Sequence, residues 1–354
     1  MLFLGGVFAL LYGMWDSVHA WRWLALATGF GAWQLVFLLR NLPLNRRTNK
    51  SDVLPNLGWA NAVSFARGIF IAALFGFLFL PWLEGWLGWL PFTLYLLAAL
   101  SDLLDGYLAR ITDHVTELGT ALDMENDSWG VLIVTGLAFW YGRVPVWYLP
   151  VGLARYIFVF GIWLREKQGK QNYEMPFSYR RRIFAGVQMG FIVAMLAPLY
   201  SPPATHFAAT LFAVPFLIGF LYDWGLVSGK IDPQKGTAFF ERFSMPFYKF
   251  IPFLLRIITA ALLGFFLVQQ NLSLIWLLVF IPLITLLSLG ILGRFAAILI
   301  AIFLGLLVAD QPLTGLYPAL FILTITLFFT GSGALSLWSP EDWLIYNRAG
   351  GWDD

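Results

Sequence analysis

The sequence contains no cysteine and only three histidines. Without cysteine, the chain has no disulfides, no thiolate nucleophile and no cysteine-based zinc site. The histidines, His19, His114 and His206, are scattered and match no metal-binding spacing. Any metal site must therefore use carboxylates, whose oxygen atoms favour hard cations such as magnesium or manganese.

Charge is also scarce. Charged residues make up 12% of the chain and hydrophobic residues 60%, whereas soluble domains carry about 25% charged residues. A chain of this composition, with a mean hydropathy of +0.75, cannot cover itself with polar groups in water. A lipid bilayer is therefore the expected solvent and partner. The net charge of +2 is too small to indicate binding of nucleic acid.

Apolar runs predict a series of membrane helices, each needing about 20 mostly apolar residues. The runs lie near 2–16, 20–39, 61–81, 91–112, 118–141, 145–164, 183–200, 206–227, 250–268, 273–292, 294–309 and 315–337. The first run is short and is either a membrane segment or a re-entrant or interfacial piece. It has no basic flank and no usual cleavage site, so we interpret it as retained rather than as a signal peptide.

Lysine and arginine are concentrated in alternate loops. The loops before 61, between 164 and 183 and between 227 and 250 are basic, whereas 82–90, 201–205, 269–272 and 310–314 contain neither residue. This alternation predicts that the basic loops are cytoplasmic. We expect an integral protein of the plasma (cytoplasmic) membrane whose active site faces the cytoplasm.

These patterns predict an all-α polytopic membrane protein with a six-helix core and additions at both ends. We expect five regions: N-terminal membrane segments at 1–44, the core at 45–228, a cytoplasmic linker at 229–249, a four-helix membrane domain at 250–338 and a cytoplasmic tail at 339–354.

Four aspartates flank one short connection between two predicted helices. Asp102 and Asp105 are three residues apart, and Asp123 and Asp127 are four apart, so each pair shares a helix face. The short connection makes the two helices antiparallel neighbours in this interpretation. Four converging carboxylates repel one another near lipid, and a divalent cation would remove that cost.

Two glycines and an arginine accompany the acids. Gly106 clears space for a ligand beside Asp105, and Gly119 shares a helical stripe with the second pair of aspartates. Arg110 is placed to contact a phosphate. A single aspartate at the end of a span is usually a solvated helix terminus, but the joint spacing of all these residues favours a site.

The combined pattern resembles a known family signature. It reads Asp102-x-x-Asp105-Gly106-x-x-Ala109-Arg110, then, after eight residues, Gly119-x-x-x-Asp123-x-x-x-Asp127. Every position of the signature of the CDP-alcohol phosphotransferases (CDP-alcohol phosphatidyltransferases) is present. The runs from about 61 to 227 are similar to the six-helix core of that family.

The resemblance implies roles for these residues. Asp102, Asp105 and Asp123 would be the primary ligands of two divalent ions, Mg²⁺ or Mn²⁺. Asp127 would deprotonate the acceptor hydroxyl as general base, with a share in metal binding. The residues expected to contact the CDP moiety are Asp102, Gly106, Ala109, Arg110 and Gly119.

A second match lies upstream. Asn61-x-x-Ser64-x-x-Arg67 resembles the N-x-x-T-x-x-R opening of the first core helix of the family, with serine in place of threonine. The resemblance implies that these residues help to hold the nucleotide. The alternative for Arg67 is an interfacial arginine whose charged head reaches water.

The acceptor side is less well defined by sequence. Arg155 lies inside an apolar run, so it must face a polar partner, either an acceptor phosphate or a motif aspartate. Arg181, Arg182 and Gln188 lie where family members with phosphorylated acceptors carry G-K-x-K-T-x-x-Q, but only Arg182 and Gln188 align with that stretch. Arg180 and Arg181 are equally typical of a positive-inside anchor.

The residues around Asp123 and Asp127 separate branches of the family. The chain reads L-D-M-E-N-D-S, which departs from the L-D-P-x-A-D-K of phosphatidylglycerophosphate synthases. It is a little closer to the L-D-M-x-T-D of phosphatidylinositol synthases.

The C-terminal block, with Gly293-Arg294 and Thr330-Gly-Ser-Gly333, faintly resembles DoxX-like membrane proteins, which implies no clear activity.

The leading hypothesis is an enzyme of phospholipid biosynthesis that moves a phosphatidyl group from CDP-diacylglycerol to a polar alcohol and releases CMP. The first alternative is an amino-alcohol phosphotransferase that uses CDP-choline or CDP-ethanolamine with diacylglycerol. The second is a transporter or a non-enzymatic scaffold, although acids at one membrane boundary and the lack of an evident repeat oppose it.

The family commonly forms homodimers, so a homodimer is a further expectation.

Overall fold

The computed structural model describes residues 2–47, 52–175, 179–270, 272–309 and 315–342. The side chains of residues 179, 180, 182 and 233–249 lie outside this description. Within the described residues the protein is almost entirely helical, with no strand beyond isolated bridges. The predicted all-α class is confirmed.

In the part of the chain that the structure describes, twelve α-helices follow the predicted apolar runs. They are α1 Leu2–Met14, α2 Ser17–Asn41, α3 Gly58–Gly76, α4 Leu90–Ile111, α5 Glu117–Trp140, α6 Leu149–Lys167, α7 Tyr179–Leu196, α8 Ala204–Val227, α9 Pro233–Gln269, α10 Leu274–Leu289, α11 Gly293–Leu307 and α12 Tyr317–Thr330. Helix α9 begins well before its apolar part, so the backbone of the polar stretch from 233 is helical.

Among the described residues, six segments are long and apolar enough to cross a membrane, as expected of an integral membrane protein. They are Ser17–Leu44, Gly58–Gly76, Gly85–Ile111, Val146–Lys167, Ala204–Val227 and Phe250–Gln269. The shorter apolar helices include α1, α10, α11 and α12.

The chain forms two compact units. The first contains Met1–Tyr156 and Met189–Pro198, and the second contains Ile157–Gln188 and Leu199–Asp354. The five regions expected from sequence stay a prediction.

In the first unit, α3 is the central helix and packs against α2, α4 and α5. Its small residues allow this close approach. At Gly76, an added Cβ would lie 2.6 Å from the indole Nε1 of Trp23 on α2. That indole donates a buried hydrogen bond of 3.0 Å to the carbonyl of Ala73. Helix α2 is thereby seated against α3 by shape and by hydrogen bonding.

In the second unit, α9, α10, α11 and α12 pack together. Arg256 of α9 is only 1% exposed and donates to the carbonyls of Ser332 and Leu335, at 2.8 and 3.1 Å. Arg294 of α11 forms an ion pair of 2.5 Å with Asp342. These two arginines satisfy backbone and carboxylate groups around the C-terminal end of α12, where water would otherwise be needed.

Candidate functional site

Helix α3 brings the two acidic pairs together by packing against both helices that carry them. Asp102 and Asp105 lie in the last turns of α4, and Asp123 and Asp127 lie within α5. Thr116 begins α5 as its N-cap, because its hydroxyl accepts a hydrogen bond of 3.0 Å from the Gly119 amide. The sequence predicted α4 and α5 as direct neighbours, but each of them packs mainly against α3, which joins the two motif helices.

Asp102, Asp123 and Asp127 form a compact carboxylate cluster. Each offers one oxygen, and these oxygens lie within 4.8 Å of one another. Arg67 of α3 is 3% exposed and donates to all three residues. Its Nη1 lies 2.6 Å from Asp102 Oδ1 and 3.0 Å from Asp123 Oδ1, and its Nη2 contacts Asp127. The guanidinium is therefore the cation around which these acids gather.

The cluster fits a divalent metal by the chemistry of its donors. Three carboxylate oxygens already converge on positive charge, and hard oxygen ligands suit Mg²⁺ or Mn²⁺. Asp105 is oriented differently from the other three predicted ligands, since its Oδ2 accepts a hydrogen bond of 2.7 Å from the Ser64 hydroxyl.

A cavity of about 150 Å³ adjoins the acids. Seven predicted site residues line it: Asn61, Ser64, Asp105, Gly106, Ala109, Gly119 and Asp123. The sequence did not single out its other lining residues, which are Ala60, His114, Val115, Thr116 and Thr120. The walls of the cavity are therefore α3, the two motif helices α4 and α5, and the loop between those two helices.

Asn61 holds the wall of this cavity together. The two hydrogens of its amide nitrogen are shared among three acceptors, which are Asn45 Oδ1 at 3.1 Å, the carbonyl of Leu57 at 2.8 Å and Thr116 Oγ1 at 3.0 Å. A Cβ added at Gly119 would lie 2.7 Å from Asn61 Oδ1. The glycine of the motif is therefore required by packing here, in addition to any contact with a ligand.

Two predicted phosphate-binding arginines lie at the edge of the site. Arg110 is exposed, and its Nη1 lies 3.4 Å from the position that a Cβ on Gly106 would take. Arg155 donates to the carbonyl of Met124 at 2.6 Å and is close enough to Asp127 for an electrostatic interaction. The hydrogen bond of Arg155 thus goes to the backbone of α5.

The remaining predicted acceptor residues belong to the second unit. Arg181 pairs with Asp223 at 3.5 Å, and Gln188 donates to the carbonyl of Phe212 at 2.6 Å. The side chain of Arg182 lies outside the described residues. Their role toward an acceptor stays a prediction.

Sequence reasoning missed two buried amides beside the acids. Asn126 lies between two motif aspartates on α5 and is 5% exposed, and Gln34 on α2 is 6% exposed. The available signal was a polar amide in the middle of an apolar run, since such a group must find a partner.

The fold and the site define a helical membrane protein with a carboxylate cluster beside a cavity lined in part by polar side chains. Residues 57–220 match the model of the CDP-alcohol phosphatidyltransferase family. The resemblance that the sequence motif predicted is confirmed for this stretch, which is a little less than half of the chain.

A curated relative is the CDP-diacylglycerol–glycerol-3-phosphate 3-phosphatidyltransferase of Cereibacter sphaeroides. The two sequences are 35% identical over 117 residues, which cover 33% of this chain and 50% of the relative. The chain therefore spans about half the length of the curated relative that it matches. No solved structure matches the chain.

Proposed function

We propose that the protein transfers a phosphatidyl group from CDP-diacylglycerol to a polar alcohol and releases CMP. The observation that carries this proposal is the cluster of Asp102, Asp123 and Asp127 beside the cavity lined by the rest of the motif. A cation site next to a polar cavity suits a substrate that joins a diphosphate to a nucleoside. The match of residues 57–220 to the family supports the same reaction.

The proposed step forms one bond and breaks one. The acceptor hydroxyl oxygen attacks the phosphorus that bears the diacylglycerol, and a new P–O bond forms. The P–O bond to CMP breaks, and CMP leaves with its electron pair. In this proposal Asp127 takes the hydroxyl proton, because its carboxylate belongs to the cluster while keeping contact with solvent.

Charge on the diphosphate must be balanced during this step. Bound Mg²⁺ or Mn²⁺ would supply electrostatic stabilisation of the phosphate oxygens. Asp102, Asp123 and Asp127 would hold the ions, and Asp105 is the fourth carboxylate beside the cavity. Arg67 would then exchange its carboxylate partners for phosphate oxygens. Its five donors make that exchange possible without loss of hydrogen bonds.

The acceptor is the finer part of the proposal. The curated relative is named for glycerol 3-phosphate, so we propose this alcohol as the first acceptor to test. Arg155 would favour such an anionic alcohol by its charge near Asp127. Inositol, inositol phosphate and serine complete the panel, because the residues around Asp123 do not follow the phosphatidylglycerophosphate synthase pattern.

The test uses the purified full-length protein with CDP-diacylglycerol, Mg²⁺ or Mn²⁺ and each alcohol. We expect CMP release that depends on metal and acceptor, with the lipid product identified by mass. Asp127→Asn should abolish release. Asp113→Asn is the matched control, since Asp113 is a highly exposed acid next to the motif helix and its left-handed backbone, with φ of 49°, suits asparagine.

Two results would overturn the proposal. The first is no CMP release by the wild-type protein with any alcohol of the panel. The second is turnover by Asp127→Asn close to that of the Asp113→Asn control, which would remove Asp127 as the base.

A further inference from the structure

Helix α2 lies outside the family-matched residues 57–220, yet it places a buried polar side chain against α3. Gln34 is 6% exposed. On α3, a Cβ added at Gly68 would lie 2.9 Å from both the amide nitrogen and the amide oxygen of Gln34. The glycine therefore leaves a gap that the amide of Gln34 fills.

From Gln34, hydrogen bonds continue through three further helices to the acids. Gln34 Nε2 donates to Asn126 Oδ1 at 3.4 Å, and Asn126 Nδ2 donates to the carbonyl of Ser64 at 2.7 Å. Ser64 Oγ then donates to Asp105 Oδ2 at 2.7 Å. Because the nitrogen of Asn126 is used on α3, its oxygen must accept, so Gln34 acts as the donor.

The position of Asn126 makes this network relevant to the site. Asn126 lies on α5 between Asp123 and Asp127 and is 5% exposed. Holding its side chain between α2 and α3 fixes the rotation of α5 about its own axis. Since successive helical residues point in fixed relative directions, this rotation decides where the two aspartates point.

A buried amide without a hydrogen-bond partner costs free energy, and this cost is what keeps the network intact. The 3.4 Å hydrogen bond from Gln34 is long, but the alternative for Asn126 Oδ1 is a buried acceptor with no donor. Rotating α5 would also break the shorter bond to the Ser64 carbonyl. The network therefore opposes small rotations that packing of apolar side chains alone would permit.

We propose that Gln34 is a positioning residue of the active site and that α2 is part of the catalytic unit. The proposal rests on the function proposed above. Gln34 acts through Asn126: it sets the orientation of Asp123 and Asp127 and has no contact with a substrate.

The experiment compares Gln34→Met with Trp23→Phe in the full-length protein. Methionine keeps the length of the side chain and removes the donor. We expect kcat for CMP release to fall about tenfold, while KM for CDP-diacylglycerol changes less than about twofold. Trp23→Phe also removes a buried hydrogen bond from α2 to α3, at Ala73, and it should leave kcat near the wild-type value.

A double variant tests whether Gln34 works through Asn126. In the Asn126→Ala background, Gln34→Met should lower kcat by less than about twofold, since the acceptor is already gone. An unchanged kcat in Gln34→Met would overturn the proposal. So would an equal loss in Trp23→Phe, because α2 would then act only through stability, which thermal unfolding of each variant measures.

Binding of Mn²⁺ to the purified protein, followed by electron paramagnetic resonance, separates this proposal from the function. If the wild type releases no CMP but binds Mn²⁺, the proposed function fails while positioning is still measurable. About tenfold weaker Mn²⁺ binding in Gln34→Met, with wild-type binding in Trp23→Phe, would support the role of Gln34. Equal affinities, or no binding by the wild type, would overturn it.

Discussion

At the scale of single residues, Arg67 is the side chain on which the carboxylate cluster depends. It is buried and donates to Asp102, Asp123 and Asp127. The three acids retain between a third and a half of their side-chain exposure, so water screens part of their repulsion. The guanidinium of Arg67 offsets the part of this repulsion that water does not screen.

Replacing Arg67 with methionine should destabilise the protein most when metal is absent. We expect a loss of about 1–3 kcal/mol in EDTA, since the acids lose their cation but keep contact with solvent. Mg²⁺ should restore part of this loss. Thermal unfolding of both proteins with EDTA and with Mg²⁺ measures the difference, and an unfolding temperature in EDTA equal to that of the wild type would contradict it.

The two motif glycines should respond differently to alanine. At Gly119 the new methyl would lie 2.7 Å from Asn61 Oδ1, which is held by the cavity wall. At Gly106 it would meet only the flexible tip of Arg110, at 3.4 Å. We expect Gly119→Ala to lower the unfolding temperature and Gly106→Ala to leave it unchanged. Equal thermal stability of the two variants would contradict this prediction and show that Asn61 moves aside at little cost.

The residues of the site show what sequence can and cannot predict. The spacing of the aspartates predicted which of them share a helix face, because helical periodicity alone determines this. Of the four carboxylates expected to converge, the structure brings Asp102, Asp123 and Asp127 together, whereas Asp105 is hydrogen-bonded to Ser64. The partner of the acids was not predictable in the same way. Arg67, Arg110 and Arg155 are all near the motif in sequence or on neighbouring spans, and only the packing of α3 selects Arg67.

At the scale of helices, the apolar runs of the sequence predicted the twelve α-helices of the described residues, because spanning a bilayer imposes a length and a composition on each helix. The beginning of α9 was harder to predict. Its first part is polar enough to indicate a linker, whereas the backbone there is helical. The packing of α3 between α4 and α5 depends on contacts distant in sequence, which local patterns do not encode.

Helix α9 leads to a prediction of its own. Replacing Arg256 with methionine would leave the carbonyls of Ser332, Ala334 and Leu335 without their donor. The hydrogen bond to Ser332 is buried, and an unsatisfied buried carbonyl costs about 1–3 kcal/mol, so we expect a clear fall in the unfolding temperature. Ile257→Leu, at the exposed neighbouring position, is the control and should unfold like the wild type. Equal stability of both variants would mean that water reaches these carbonyls.

At the scale of the whole molecule, the alternation of basic loops predicts the orientation in the membrane. The absence of cysteine makes this testable, because each introduced cysteine is the single thiol in the chain. Glu84→Cys and Lys170→Cys place thiols at exposed positions in a loop without lysine or arginine and in a basic loop, respectively. In intact cells, an impermeant maleimide should label only the first, and permeabilisation should expose the second. The reverse pattern would invert the topology and place the basic loops outside the cytoplasm.

The contact of Arg67 with three acids also has a thermodynamic consequence for the protein as a whole. Under the proposed function, an external metal ion would bind by displacing the guanidinium from these acids, so the measured metal affinity would include the cost of that displacement. A nucleotide diphosphate offers the displaced arginine a new anionic partner and lowers that cost. Loading of metal and of the CDP donor then becomes mutually cooperative, and by linkage each raises the affinity for the other by the same factor.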